Sequence, residues 1–106
     1  MQKPAKPRRN VTAKIFDKRG NLLSIGYNSY TKTHPLQAFH ANRVGRREQI
    51  YLHAEIAAIA NCKDISKAHK MVVEKFSKFG EPLNACPCEI CADGIKATPI
   101  KVIEHT

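Results

Sequence analysis

The sequence predicts one mixed α/β domain, and three observations carry that prediction. Residues 11–16 alternate, with Val11, Ala13 and Ile15 set against Thr12 and Lys14, as in a strand with one buried face. Residues 50–62 hold Ile50, Ala54, Ala57, Ala58 and Cys62 near helical spacing. The last third reads strand, helix, strand over residues 71–76, 88–97 and 100–103. Such a β-α-β tail implies parallel neighbours joined by a right-handed crossover. The expected order is β-β-loop-α-β-α-β, with the domain over residues 11–106.

Residues 1–10, MQKPAKPRRN, hold Pro4, Pro7 and several cations but little that is apolar, and read as a flexible basic arm. Residues 11–28 read as a β-hairpin closed at Lys18-Arg19-Gly20-Asn21, where Gly20 and Asn21 tolerate positive φ. Asn28 falls where the return strand ends. On the hairpin alone it is a plain turn residue, though it can also offer a donor and an acceptor at the sheet edge. Residues 29–49 form a long connection carrying Tyr30, His34, Phe39, His40, Arg43, Arg46 and Arg47. Connections this long are commonly functional, and cations among aromatics suit a phosphate or a stacked base. Residues 36–43 can make a short helix there.

The helix over 50–62 is apolar nearly all round, so it is expected to be buried with His53 and Glu55 in its first turn. A carboxylate in such a place needs a partner. Lys78-Phe79-Gly80-Glu81-Pro82 reads as a turn, and Pro87 suits the entrance of the helix over 88–97. Pro99 closes that helix.

Lysine and arginine number 18 against 9 acidic residues, a formal charge of +9 that favours phosphate-bearing partners, nucleotide or single-stranded nucleic acid. No apolar run approaches ~20 residues, so no membrane span is expected. The basic N-terminus lacks the apolar segment of a secretory signal. Three of the four cysteines lie within residues 86–91, closer than a disulfide framework usually sets them. A reducing compartment, the cytoplasm, is expected. Cys62 and Cys86 read as packed thiols, Cys86 alternatively as a spare ligand.

His53, Cys88 and Cys91 offer one nitrogen and two sulfurs, a donor set that zinc favours. Cys88 and Cys91 share a helix face over one turn, near an N-terminus that favours thiolate. Three protein ligands leave a fourth position for water. Glu55, two residues beyond His53, is then the general acid/base candidate.

His53-Ala54-Glu55 followed by Pro87-Cys88-Glu89-Ile90-Cys91 resembles the signature of the zinc-dependent cytidine and deoxycytidylate deaminase superfamily. The resemblance covers roughly residues 11–105 and looks nearest to the short deoxycytidylate deaminases of bacteriophages. It implies a three-layer α/β/α cytidine-deaminase-like fold, with a mixed sheet of four to five strands opening on the hairpin. It also implies zinc and a hydrolytic deaminase of nucleotide metabolism, most simply dCMP to dUMP. Glu55 would take a proton from zinc-activated water, protonate the ring nitrogen and then the departing amine. Gly26-Tyr27-Asn28 resembles the family's G-x-N, whose asparagine contacts the sugar, and the Ala54 backbone would read the ring edge. Charge, rather than the resemblance, points to His34 with Arg43, Arg46 or Arg47 as the contacts to phosphate. A phage-encoded chain would act in its host's cytoplasm.

The sequence departs from that pattern in two places. The family's helix before the first strand is replaced by the basic arm, and its fifth strand is missing or very short. Both losses expose sheet or pocket wall, so a homo-oligomer is expected. Three other functions fit the motifs: a deaminase of cytosine or adenine in single-stranded DNA or tRNA, a non-enzymatic zinc module that binds nucleic acid, and a C-x-x-C redox protein. The second needs a fourth protein ligand to close its site.

Overall fold

A computed structural model describes residues 11–29, 31–49 and 51–106. The basic arm over 1–10, Tyr30 and Ile50 lie outside the described residues. The described chain runs β1 (Val11–Phe16), β2 (Leu22–Tyr27), α1 (Pro35–Arg43), α2 (Ala54–Asn61), a 3-10 turn (Ile65–Lys67), β3 (Lys70–Phe76), β4 (Pro82–Leu83), α3 (Glu89–Lys96) and β5 (Val102–His105). The five strands form one mixed sheet. Its path is β2-β1-β3-β4, all antiparallel, and β5 joins β3 in parallel. This is the expected mixed α/β class with a hairpin at its start.

The hairpin follows its turn chemistry. Gly20 takes φ 86° while Asn21 stays outside the left-handed region. Asp17 fixes the turn instead, its carboxylate accepting from Arg19 N–H at 2.9 Å and Asn21 N–H at 2.8 Å. The backbone hydrogen bonds from Asn21 and Arg19 help hold that carboxyl below its usual range, with the Asn21 bond first.

Strand alternation and register set the core. Ala13 pairs Val73 and Ile15 pairs Met71 across β1 and β3, and all four are fully buried. Ala13 also pairs Gly26, and Ile15 pairs Ser24, on β2. These rows lie under α2, whose Ala54 and Ala58 complete the same core with Ile95 of α3. Burying a side chain of Ile, Val or Met size contributes about 1.5–3 kcal/mol. Small residues on both sides bring α2 close. The Ser24 hydroxyl donates to Ala58 C=O at 2.8 Å. A Cβ on Gly26 would run into Ala54 O and Ala58 N, so only glycine fits there. The other sheet face is partly exposed and carries Lys14–Glu74 and Lys70–Glu104 ion pairs. The described helices pack with one another and with the Ala13–Ile15 face. A helix layer on the second face, part of the expected three-layer stack, is not among the described residues.

Helix boundaries differ from the sequence expectation at the two places that matter most. The helix expected over 50–62 starts at Ala54, and His53 is its N-cap in extended conformation. Ahead of it the chain runs extended, with Tyr51 bridged to Thr33, Leu52 N–H donating to Lys32 C=O and Ser29 N–H donating to Leu52 C=O. Those non-local partners claim the backbone groups that a longer helix would need, and apolar periodicity cannot report them. Likewise α3 starts at Glu89, with Cys88 as its extended N-cap. The turn expected over 78–82 contributes Pro82 to β4, an edge strand where proline's missing N–H costs little.

Candidate active site

The site grows from those two N-caps. Neither His53 nor Cys88 uses its side chain to cap its own helix, so both are available at the helix starts. His53 Nδ1 lies 3.3 Å from Cys91 Sγ and 3.4 Å from Cys88 Sγ. The three donor atoms all lie within 4.8 Å of one another, a group that can hold a metal ion. One nitrogen and two sulfurs at this spacing fit zinc. Helix starts also carry the positive end of the dipole, which favours thiolate.

The thiols behave as a coupled pair. Cys88 is held down at about 4, first because the Cys91 thiol donates to it and also because His53 does. Cys91 is pushed up by the same bond and by its burial. His53 is raised, first by its hydrogen bond to the Cys88 sulfur. A sulfur that is already anionic is the state a metal requires.

Glu55 sits one residue into α2 and is 6% exposed. Burial pushes its carboxyl above the usual carboxylate range. A raised carboxyl in a cavity beside metal donors suits proton transfer near neutral pH. That cavity has a volume of about 330 Å³, at the small end of the roughly 300–1,000 Å³ typical of ligand sites. His53, Ala54, Glu55 and Cys88 line one side.

The opposite wall follows from strand register. Val11 pairs Lys75, and Asn28 N–H donates to Val11 C=O at 3.3 Å. Asn28, Val11 and Lys75 therefore form the next row after Gly26, Ala13 and Val73. They lie on the same sheet face, just beyond the start of α2, and all three line the cavity. Asn28 Oδ1 also accepts from Val11 N–H at 3.1 Å, which ties β2 to the first residue of β1. The side chain expected to meet sugar is therefore also a structural clasp.

The expected phosphate contacts are placed elsewhere. His34 caps α1, its Nδ1 accepting from Leu36 N–H at 3.0 Å. Arg43 Nε donates to Asp93 at 2.9 Å, and His40 Nδ1 lies 2.6 Å from the same oxygen. Arg46 Nε donates to Glu89 at 2.9 Å, and Arg47 Nε to Asn42 Oδ1 at 2.8 Å. None of these four residues lines the cavity, because carboxylates of α3 and a side chain of α1 claim the arginines. The cation on the cavity wall is Lys75, for which no carboxylate partner is found among the described residues. Its signal was present in the sequence: after Met71 and Val73, the third position on a buried strand face is a lysine.

Gln37 was also missed. It is fully buried on α1, its side-chain carbonyl accepting from His53 N–H at 3.1 Å while its amide donates to Gln49 C=O at 3.3 Å. It thereby fixes the backbone from which the His53 ring projects. A single glutamine in a long connection gave no reason to single it out. Cys86 lines the cavity and is exposed rather than packed, and it stands outside the three-donor group. Cys62 is partly buried against the core, as expected of a packed thiol.

Comparison with known proteins agrees with this geometry. The family model described as the cytidine and deoxycytidylate deaminase zinc-binding region matches residues 1–104. No curated protein matches the chain.

Proposed function

The chain belongs to the cytidine and deoxycytidylate deaminase zinc-binding family, and from that membership we propose that it hydrolyses the exocyclic amine of a cytosine nucleotide, dCMP giving dUMP. The observation that carries this reading is a buried Glu55 in one cavity with His53 and Cys88, the Cys91 sulfur lying 3.3 Å from the same imidazole. His53, Cys88 and Cys91 are the residues that would hold zinc. When bound, zinc supplies a Lewis acid that readies water for attack near neutral pH. Glu55 takes the proton from the attacking water and passes it to ring N3. A C4–O bond forms. The C4–N bond then breaks as Glu55 moves the second proton to the amine, which leaves as ammonia. Burial supports Glu55 in both directions, since its raised carboxyl exchanges protons more readily near neutrality.

The remaining wall suits the rest of a nucleotide. Ala54, the first residue of α2, offers backbone groups to the base edge, and Asn28 faces the sugar. Lys75 replaces His34, Arg43 and Arg46 as the phosphate contact in this reading, because it stands on the wall and they do not. A half-exposed Tyr51 on the same wall gives the polymer reading its support, as a platform for a base flanking the target in a single strand. The closed zinc module loses its support, since the donor group holds three residues and not four among the described ones. No described helix is long and apolar enough to cross a membrane. A reducing cytoplasm suits four free thiols. Exposed Phe76, Phe79 and Leu83 around β4 favour a homo-oligomer.

Ammonia release tests the reading. Zinc-loaded protein is incubated with dCMP, deoxycytidine, and a cytosine-containing single-stranded oligonucleotide. Turnover of dCMP above the other two is expected. Glu55→Gln should keep zinc and lose about a hundredfold or more in rate, the usual contribution of acid/base catalysis. Full activity in that variant would remove Glu55 from the mechanism.

A further inference from the structure

The formal charge of +9 is not spent at the catalytic cavity, where Lys75 is the cationic side chain on the wall. A second and larger cavity, about 590 Å³, lies at the other end of the sheet. Three segments far apart in sequence converge on it: the β1–β2 turn with Asp17, Lys18, Arg19 and Asn21, the 3-10 turn with Lys67 leading to His69, and Lys101 just before β5. Strand pairing brings them together. Phe16 pairs Lys70, while His69 C=O accepts from Lys101 N–H at 2.9 Å and His69 N–H donates to Phe16 C=O at 2.9 Å.

The wall is cationic, and most of that charge is unanswered. Lys18, Arg19, Lys67 and Lys101 line it together with a single carboxylate, that of Asp17. Both oxygens of Asp17 are committed to the turn, to Arg19 N–H, Asn21 N–H and Asn21 Nδ2. Asp64 takes up Lys67 at 3.5 Å. Lys18 and Lys101 form no ion pair among the described residues, and Arg19 acts on the Asp17 carboxylate only through its charge, without a close ion pair. Holding three or four cations together is unfavourable unless a counter-charge arrives. The groove is open and lined by flexible charged side chains with a half-buried imidazole, which suits an extended anion.

We propose that this groove binds a chain of phosphates, either the backbone of single-stranded nucleic acid or the oligophosphate of a free nucleotide. It is separate from the catalytic cavity. Val11 and Lys75 stand at one end of the β1–β3 pairing, Phe16 and Lys70 at the other. That puts the two ends roughly 17 Å apart at the usual rise per strand residue. The inference does not depend on which base the catalytic cavity takes.

The test uses the full zinc-loaded chain and two probes that carry no cytosine. One is a fluorescein-labelled dodecamer of thymidylate, the other inorganic tripolyphosphate as competitor. Binding is read by fluorescence anisotropy across a salt series. Three to four phosphate contacts predict a slope of about −2 to −3 in log K against log salt for a single strand. The variant Lys18→Glu/Arg19→Glu/Lys101→Glu should bind the dodecamer at least about tenfold more weakly and with a shallower slope. It should unfold in one cooperative thermal transition like the parent and deaminate free nucleotide at the parent level, and Lys18→Gln/Arg19→Gln/Lys101→Gln should fall between in binding. Weakened dodecamer binding assigns the groove to nucleic acid. If only tripolyphosphate binding, read by calorimetry, is weakened in the variant, the ligand is a free oligophosphate. Unchanged binding of both probes, or no binding of either by the parent, overturns the proposal. A parent that binds either probe but releases no ammonia from any cytosine substrate would instead count against the catalytic reading alone.

Discussion

Replacing Gly26 with alanine tests how the sheet sets the catalytic helix. The new Cβ would meet Ala54 O and Ala58 N, and would stand 2.8 Å from Ala57 C. All three atoms are backbone of α2, so no rotamer change relieves them. Carbon contacts rest at about 3.5–4.0 Å, so α2 must retreat from β2 by roughly 1 Å. Overpacking costs about 1–3 kcal/mol, and a rigid backbone neighbour places Gly26→Ala near or above the top of that range. The retreat starts at Ala54, beside Glu55 and His53. A misplacement of about 1 Å can cost about a hundredfold in rate.

Gly94→Ala is the matched control. Its Cβ would meet Ile56 Cδ1 at 2.6 Å, the far end of a flexible side chain, and His40 Cδ2 at 3.5 Å. Gly94 also lies inside α3, where alanine gains about 0.8–1.0 kcal/mol of helix propensity. The two terms largely offset, so a change within about 1 kcal/mol is expected. Urea unfolding of both variants, with ammonia release, gives the comparison. Gly26→Ala should be the less stable and the less active. If Gly94→Ala proves worse, or Gly26→Ala matches the parent in both assays, close packing of α2 on β2 does not position the site.

Three other outcomes are expected. Lys75→Gln should lower kcat/KM for a cytosine nucleotide about ten- to a hundredfold, as loss of a charged hydrogen bond of about 1.5–3 kcal/mol would, while the nucleoside is unaffected; equal effects on both would return Lys75 to a surface role. Gln37→Ala leaves His53 N–H and Gln49 C=O without their partner, at a cost of about 1–3 kcal/mol in unfolding free energy, and zinc affinity should fall with it in a chelator competition. Asp17 has a depressed carboxyl, so its stabilisation is present above its unfolded pKa and is lost as pH falls through the lower folded value. The urea midpoint of the parent should therefore exceed that of Asp17→Ala at pH 7 and approach it below about pH 4; a gap that persists at low pH would mean the turn is held by other bonds.

The hairpin, the buried helix and the strand-helix-strand tail were legible because each rests on local patterning. Val11–Phe16 alternates whatever surrounds it. The donor triad was legible for a related reason: His53, Cys88 and Cys91 are the residue types zinc selects, and the two thiols are spaced by one helical turn. The starts of α2 and α3 were not. His53 is an N-cap because Tyr51 and Leu52 find partners at Thr33 and Lys32, some twenty residues earlier.

Charge shows the same division. From sequence, Arg43 and Arg46 look as suited to phosphate as Lys75 does, since all three carry a cation on a long stem. Packing α3 against α1 puts Asp93 beside Arg43 and Glu89 beside Arg46, whereas strand register puts Lys75 in a row with Val11 and Asn28. The sequence by itself determined the donor set that fits zinc, because ligand preference follows residue type. Only the tertiary structure decided which cations remain available to a ligand, because a charge is neutralised by whatever carboxylate folding brings within reach.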